Sequence, residues 1–80
     1  MDDVEIVQRI TALADEEHAL SRDLEGRSST PDDKARLREL EVALDQCWDL
    51  LRQRRARRAV GEDPDAAGVR PEGVVEGYQQ

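Results

Sequence analysis

Three features of this 80-residue chain have side chains that could do chemistry: Cys47, the run Asp15-Glu16-Glu17-His18, and the arginine block Arg52, Arg54, Arg55, Arg57 and Arg58. A nucleophilic cysteine needs a neighbouring base and an electropositive, partly exposed setting. Cys47 falls instead within an apolar series of heptad spacing, where a free thiol behaves as a small hydrophobe. As the single cysteine it leaves no intrachain disulfide and no multi-cysteine zinc site. The acidic run with His18 suggests a metal centre, because di-iron helical bundles use Glu and Glu-x-x-His sets on facing helices. Here the spaced pair is Asp15 and His18, and both point away from the apolar seam of their helix. His18 is therefore expected in solvent, with no metal and no cofactor.

The arginine block could bind phosphates through a local patch. Against that stand a net charge of -7, a pI near 4.6, no aromatic residue among the arginines, and acids on both sides. Charge is spread unevenly. Residues 1–25 carry eight acids and two bases, residues 52–60 five bases and no acid, and residues 61–80 five acids and one base. A basic island between acidic segments points first to pairing within the molecule. No convergent set of nucleophile, base and oxyanion donors can be assembled, so the chain reads as non-enzymatic.

The elements that carry these groups are helical. Asp2 or Asp3 can cap a first helix over about residues 4–25, with Glu5 in its first turn. Ile6, Ile10, Leu13, Leu20 and Leu24 form its seam, broken by Glu17, which is expected to lean to the rim beside Arg36 or Arg38. Gly26 suits the helix end. In the stretch STPDDKARL, Thr30 can cap a second helix, Pro31 fits its first position and Asp33 sits at the capping-box position. Leu37, Leu40, Leu44, Cys47 and Leu51 then repeat at coiled-coil spacing, and no breaker appears before Gly61 and Pro64. The second helix is thus expected over about residues 31–59. Residues 61–80, rich in glycine and proline, read as an irregular tail beside the hairpin of residues 1–60.

A short connection makes the two helices antiparallel neighbours. In the register Leu20–Leu37, Leu13–Leu44, Ile10–Cys47 and Ile6–Leu51, the acidic start of the first helix meets the arginines at the negative end of the second. Asp2, Asp3 and Glu5 are expected beside Arg52, Arg54 and Arg55, with each exposed pair worth about 0–1 kcal/mol. Trp48, at the edge of the seam, is expected to be largely buried.

The apolar stripes are wider than one partner helix covers. Ala43 and Leu50 extend the second, and Val7, Ala14 and Ser21 extend the first. Two hairpins forming an antiparallel four-helix bundle would bury them. Val69, Val74, Val75 and Tyr78 of the tail offer a competing cover. Eighty residues, with aromatics at 2% and no Phe, make a small core that gains from a second copy.

No apolar run is long enough for a signal peptide or membrane span, so the chain reads as soluble and cytoplasmic. Eleven arginines against one lysine hint at a GC-rich bacterial origin. The stretches ITALADEEHAL, LRELEVALDQCWDLLRQRRARR and VRPEGVVEGY resemble a small actinobacterial protein family of unknown function. That resemblance spans nearly the whole chain; it implies a single-domain protein and carries over no catalytic residue. The function expected is that of a helical interaction or structural module acting as a homodimer, with a cytoplasmic protein as a further class of partner. The alternative is a nucleic-acid-associated regulator using Arg52–Arg58.

Overall fold

The structure, a computed structural model, describes residues 1–76. Two long helices dominate: α1 (Asp3–Glu25) and α2 (Pro31–Ala59). A single turn of 3-10 helix (Pro64–Ala66) and a short α3 (Glu72–Glu76) follow, and no strand occurs among the described residues. The all-α hairpin expected from the seams is present with its boundaries within a residue.

Local chemistry accounts for each terminus. Asp2 Oδ1 accepts the Glu5 amide at 2.8 Å and so caps α1. The capping box of α2 is complete: Thr30 Oγ1 accepts the Asp33 amide at 3.2 Å, and Asp33 Oδ2 accepts the Thr30 amide at 2.8 Å. Arg27 stitches the hairpin turn, donating to Asp23 at 2.8 Å and to Asp33 at 2.6 Å. Its guanidinium, with the Thr30 amide, holds the Asp33 carboxyl well below the usual carboxylate range. Gly26 ends α1 with φ of -96°, a conformation open to any residue.

Gly61 is different, with φ of +80°. Its amide bonds to Arg58 O at 3.2 Å and that of Glu62 to Arg57 O at 2.8 Å, the paired bonds of a Schellman motif. This left-handed residue turns the chain back along α2, so the tail runs beside the helix instead of away from it.

The result is a slab with α2 in the middle. α1, the 3-10 turn and α3 each pack on α2, and no other pair of these elements packs together. Ile6, Ile10, Leu50 and Leu51 form the buried cluster, with Leu44, Cys47 and Ala67 packed against it. Leu13 and Leu40 are buried further along the seam, while Leu20, Leu24 and Leu37 near the turn are half-buried. The core is therefore densest at the end where α1 begins, α2 ends and the tail crosses.

The tail is a cover, with short helical turns rather than wholly irregular backbone. Val75 of α3 is buried and shares a narrow gap with Val42, Asp45 and Gln46 of α2. Val69 and Val74 are exposed, and Tyr78 lies outside the described residues. The molecule measures 50 × 25 × 16 Å. Its radius of gyration, 14.9 Å, exceeds the about 12 Å of a compact chain of this length. A thickness of 16 Å is little more than one helix with side chains, about 10–12 Å. The broad faces of the slab have no second layer.

Candidate functional site

The arginine block does not present one surface. Arg54 is buried, 6% exposed, and its Nε donates to Asp3 Oδ1 at 2.6 Å while Nη1 donates to Asp65 Oδ1 at 2.8 Å and Pro64 O at 3.2 Å. Arg58 takes the other oxygen of Asp3 at 2.8 Å. Together Arg54, first, and Arg58 hold the Asp3 carboxyl below its ordinary range. Arg57 pairs with Glu62 at 3.1 Å. Counter-charge is thus the role of three of the five arginines, and α1 and the tail supply the acids. The expected set of acids narrows: Asp3 receives the arginines, whereas Asp2 is committed to its helix cap. Arg52 and Arg55 face outward; Arg52 approaches Asp49 at 3.8 Å with its side chain 62% exposed.

A second polar clamp was not anticipated. Asp49 is fully buried on the tail side of α2. It accepts Arg70 Nε at 2.9 Å and a second bond from Arg70 Nη2, giving a bidentate pair, and a third bond from Gln53 at 3.0 Å. Arg70 lowers the Asp49 carboxyl below its usual range, against the upward push of burial, and Gln53 adds to the lowering. Gln53 also donates to Gly68 O at 2.8 Å, and Gln46 to Arg70 O at 3.3 Å. Sequence offered one hint of this site: Arg70 is the single base among residues 61–80. Nothing in the spacing of Asp49, which stands between Trp48 and Leu50, marks it for burial.

The expected stripe separates into two flanks with different fates. Helical phase, about 100° per residue, puts Ala43 and Leu50 on one flank of an antiparallel pair and Val7, Ala14 and Trp48 on the other. On the first flank Leu50 is only 7% exposed, against Ile6, Leu51 and Ala67 of the tail, and Ala43 is half-buried. Leu50 is therefore not available to a partner, because the chain reversal at Gly61 lays residues 65–69 over it. On the second flank Val7 is 47% exposed, Trp48 50%, and Ala14 is exposed. Trp48 was expected inside the fold. It is not, because α1 is too narrow to reach around the edge of α2 and the tail docks on the other side.

The remaining candidates lie apart. Cys47 is half-buried against the core, and burial raises its thiol pKa, with Arg9 pulling the other way. His18 is exposed. Among the described residues no three of His, Cys, Asp and Glu are grouped to hold a metal ion. Glu17 is half-buried; the neighbouring Glu16 pairs with Arg36, which also takes Glu39, and Arg38 pairs with Glu72 of α3. Among the described residues no helix is long and apolar enough to cross a membrane.

No solved structure matches the chain. Uncharacterised proteins of Mycobacterium bovis and of two strains of Mycobacterium tuberculosis are each 51% identical over 77 residues, covering 95% of this chain and 88% of theirs. The family described as "Protein of unknown function (DUF2630)" matches residues 2–80. A match from end to end of the helical hairpin and its clamped tail means that this chain belongs to the DUF2630 family.

Proposed function

We propose that the protein is a non-enzymatic helical interaction module that works as a homodimer through the open flank of its hairpin. The observation that carries this reading is the half-exposed Trp48 beside exposed Val7 and Ala14, on a broad face of a slab one helix thick. A tryptophan ring is the most expensive side chain to leave in water, and rigid aromatic anchors dominate interface energetics. Small helical domains with one covered and one open apolar flank complete their core by adding a layer.

The nucleic-acid reading of Arg52–Arg58 draws less support, since Arg54, Arg57 and Arg58 are already paired with Asp3, Asp65 and Glu62. Light scattering in the micromolar range, with Trp48 emission followed over a dilution series, tests the dimer. The expected mass is twice 9.0 kDa, with emission moving to longer wavelength as the dimer dissociates. A monomeric mass at every concentration, with unchanging emission, overturns the reading.

A further inference from the structure

The open flank of α2 carries an ordered charge pattern. Glu41, Asp45, Trp48, Arg52 and Arg55 recur at alternating intervals of four and three, which is the spacing of one helical seam. The acids lie on the N-terminal side of Trp48 and the bases on its C-terminal side. Glu41 and Arg55 stand seven positions either side of the ring; Asp45 and Arg52 stand three and four positions away. Glu41, Arg52 and Arg55 are exposed, and Asp45 is half-buried at the margin of this flank, where it also lines the gap beside Val75 of α3.

Within one helix these four charges gain little from one another, because acid and base are separated by about two turns or more, although Arg52 also approaches Asp49 of its own chain at 3.8 Å. The arrangement opposes the local field less than a mixed pattern would, with bases near the C-terminal end, but that preference does not call for a seam centred on the tryptophan. It becomes complementary when a second α2 runs antiparallel across the first. An isologous contact brings residue i of one copy to residue j of the other, and j to i.

We infer that two copies associate through this flank with α2 antiparallel to α2 and the two-fold axis at Trp48. This deepens the homodimer reading above and rests on it. The two rings meet at the axis. Arg52 of each copy faces Asp45 of the other, and Arg55 faces Glu41. A parallel pair would instead set acid against acid and base against base, so the charges select direction as well as partner. Val7 and Ala14 lie on the same flank of α1, close to the level of Trp48, and extend the apolar contact on both sides of the axis. Arg54, Arg57 and Arg58 take no part, since they close each chain on itself. Lys34, further along this flank, comes to the level of Glu62 in the other copy, which adds attraction of the same sense.

Two reversed variants test this in the full chain. The acidic variant carries Arg52→Glu and Arg55→Glu; the basic variant carries Glu41→Arg and Asp45→Arg. Each puts one sign of charge on both sides of Trp48, and each alone should dissociate about 10- to 100-fold more readily than the parent, most clearly at low salt. Mixed in equal amounts they should recover a dimer, because every facing pair is again opposite in sign. A chain with all four reversals should dimerise with itself. Trp48→Ala should weaken the parent at least about thirtyfold.

Circular dichroism confirms that each variant is helical. Should one unfold, the fourfold variant decides by itself: a dimer supports the register and a monomer overturns it. A parent that is monomeric throughout overturns both the homodimer and this register. A parent dimer left intact by both reversals, or reversed variants that stay monomeric when mixed, overturns the register alone and leaves the homodimer standing.

Discussion

On the side of α2 that meets α1, the buried groups are Ile6, Ile10, Leu13, Leu40 and Leu51, aliphatic throughout and spaced by heptads. On the side that meets the tail they are Leu50, Asp49 and Val75, with Arg54 at the corner where α1, α2 and the tail converge. The first contact gains from each methylene removed from water and tolerates small slips along the seam. The second depends on a few fork-shaped hydrogen bonds whose geometry allows one position only. A periodic apolar stripe therefore specifies which faces pair, and isolated charge clamps specify where a segment without periodicity must lie. The third side, bearing Trp48, has neither kind of closure within the chain.

Breaking the aliphatic side should cost most. Leu51 is 1% exposed in the central cluster, and Leu51→Ala should lower stability by about 4 kcal/mol in urea unfolding. A loss below about 1 kcal/mol would show that the seam end is loosely packed. Asp49→Asn keeps the side chain's shape but removes the buried carboxylate charge that Arg70 grips. Breaking a buried ion pair costs about 3–5 kcal/mol, and partial solvent access of Arg70 argues for about 3 kcal/mol here. The double variant Asp49→Asn/Arg70→Gln should recover part of that loss. Hydrogen exchange should show the tail amides opening before those of α1. Equal loosening of α1 would mean that the two sides do not act separately.

Gly61→Ala should cost about 1–2 kcal/mol, since a Cβ opposes the left-handed conformation although nothing lies within 4 Å of it. Its effect should again fall on tail docking, read by the same exchange experiment.

Acid should weaken both closures, through their charges. Asp3, Asp33 and Asp49 all have native pKa values lowered by arginine partners. Their stabilisation is complete above the unfolded value of about 3.9 and is lost as pH falls from there through the depressed native values. A melting temperature constant from about pH 5 to 7 and falling below about pH 4 is expected. Asp49→Asn should flatten that fall. A protein as stable at about pH 2.5 as at neutrality would show that the clamps contribute nothing.

The smallest effect belongs to the open side. In dilute solution, where a single chain dominates, Trp48→Ala should change stability by less than about 1 kcal/mol, because the ring is already half in water. A loss of about 3 kcal/mol under those conditions would mean that the ring is packed within its own chain.

Both long helices were legible from residues 1–60 because their signals are local and repeated: Thr30, Pro31 and Asp33 mark one start, and apolar residues at 3-4 spacing mark the facing sides. Attraction between the acidic beginning of α1 and the arginines of α2 was legible as well, since opposite charges at opposite ends leave one favourable direction for a hairpin. Which arginine does what was not. Arg54 and Arg55 are neighbours of identical type, yet one is buried between two carboxylates and the other faces water. Their difference arises from helical phase relative to a tail whose path depends on the φ of Gly61. The same path decides that Leu50 is covered while Trp48 is not, although both border the same seam. By itself the sequence determined the elements, their caps and their antiparallel sense, because those follow from interactions between residues close along the chain or repeated along it. Only the tertiary structure decided the Asp49–Arg70 clamp and the flank left open, because each depends on a single long-range meeting between residues that no periodicity brings together.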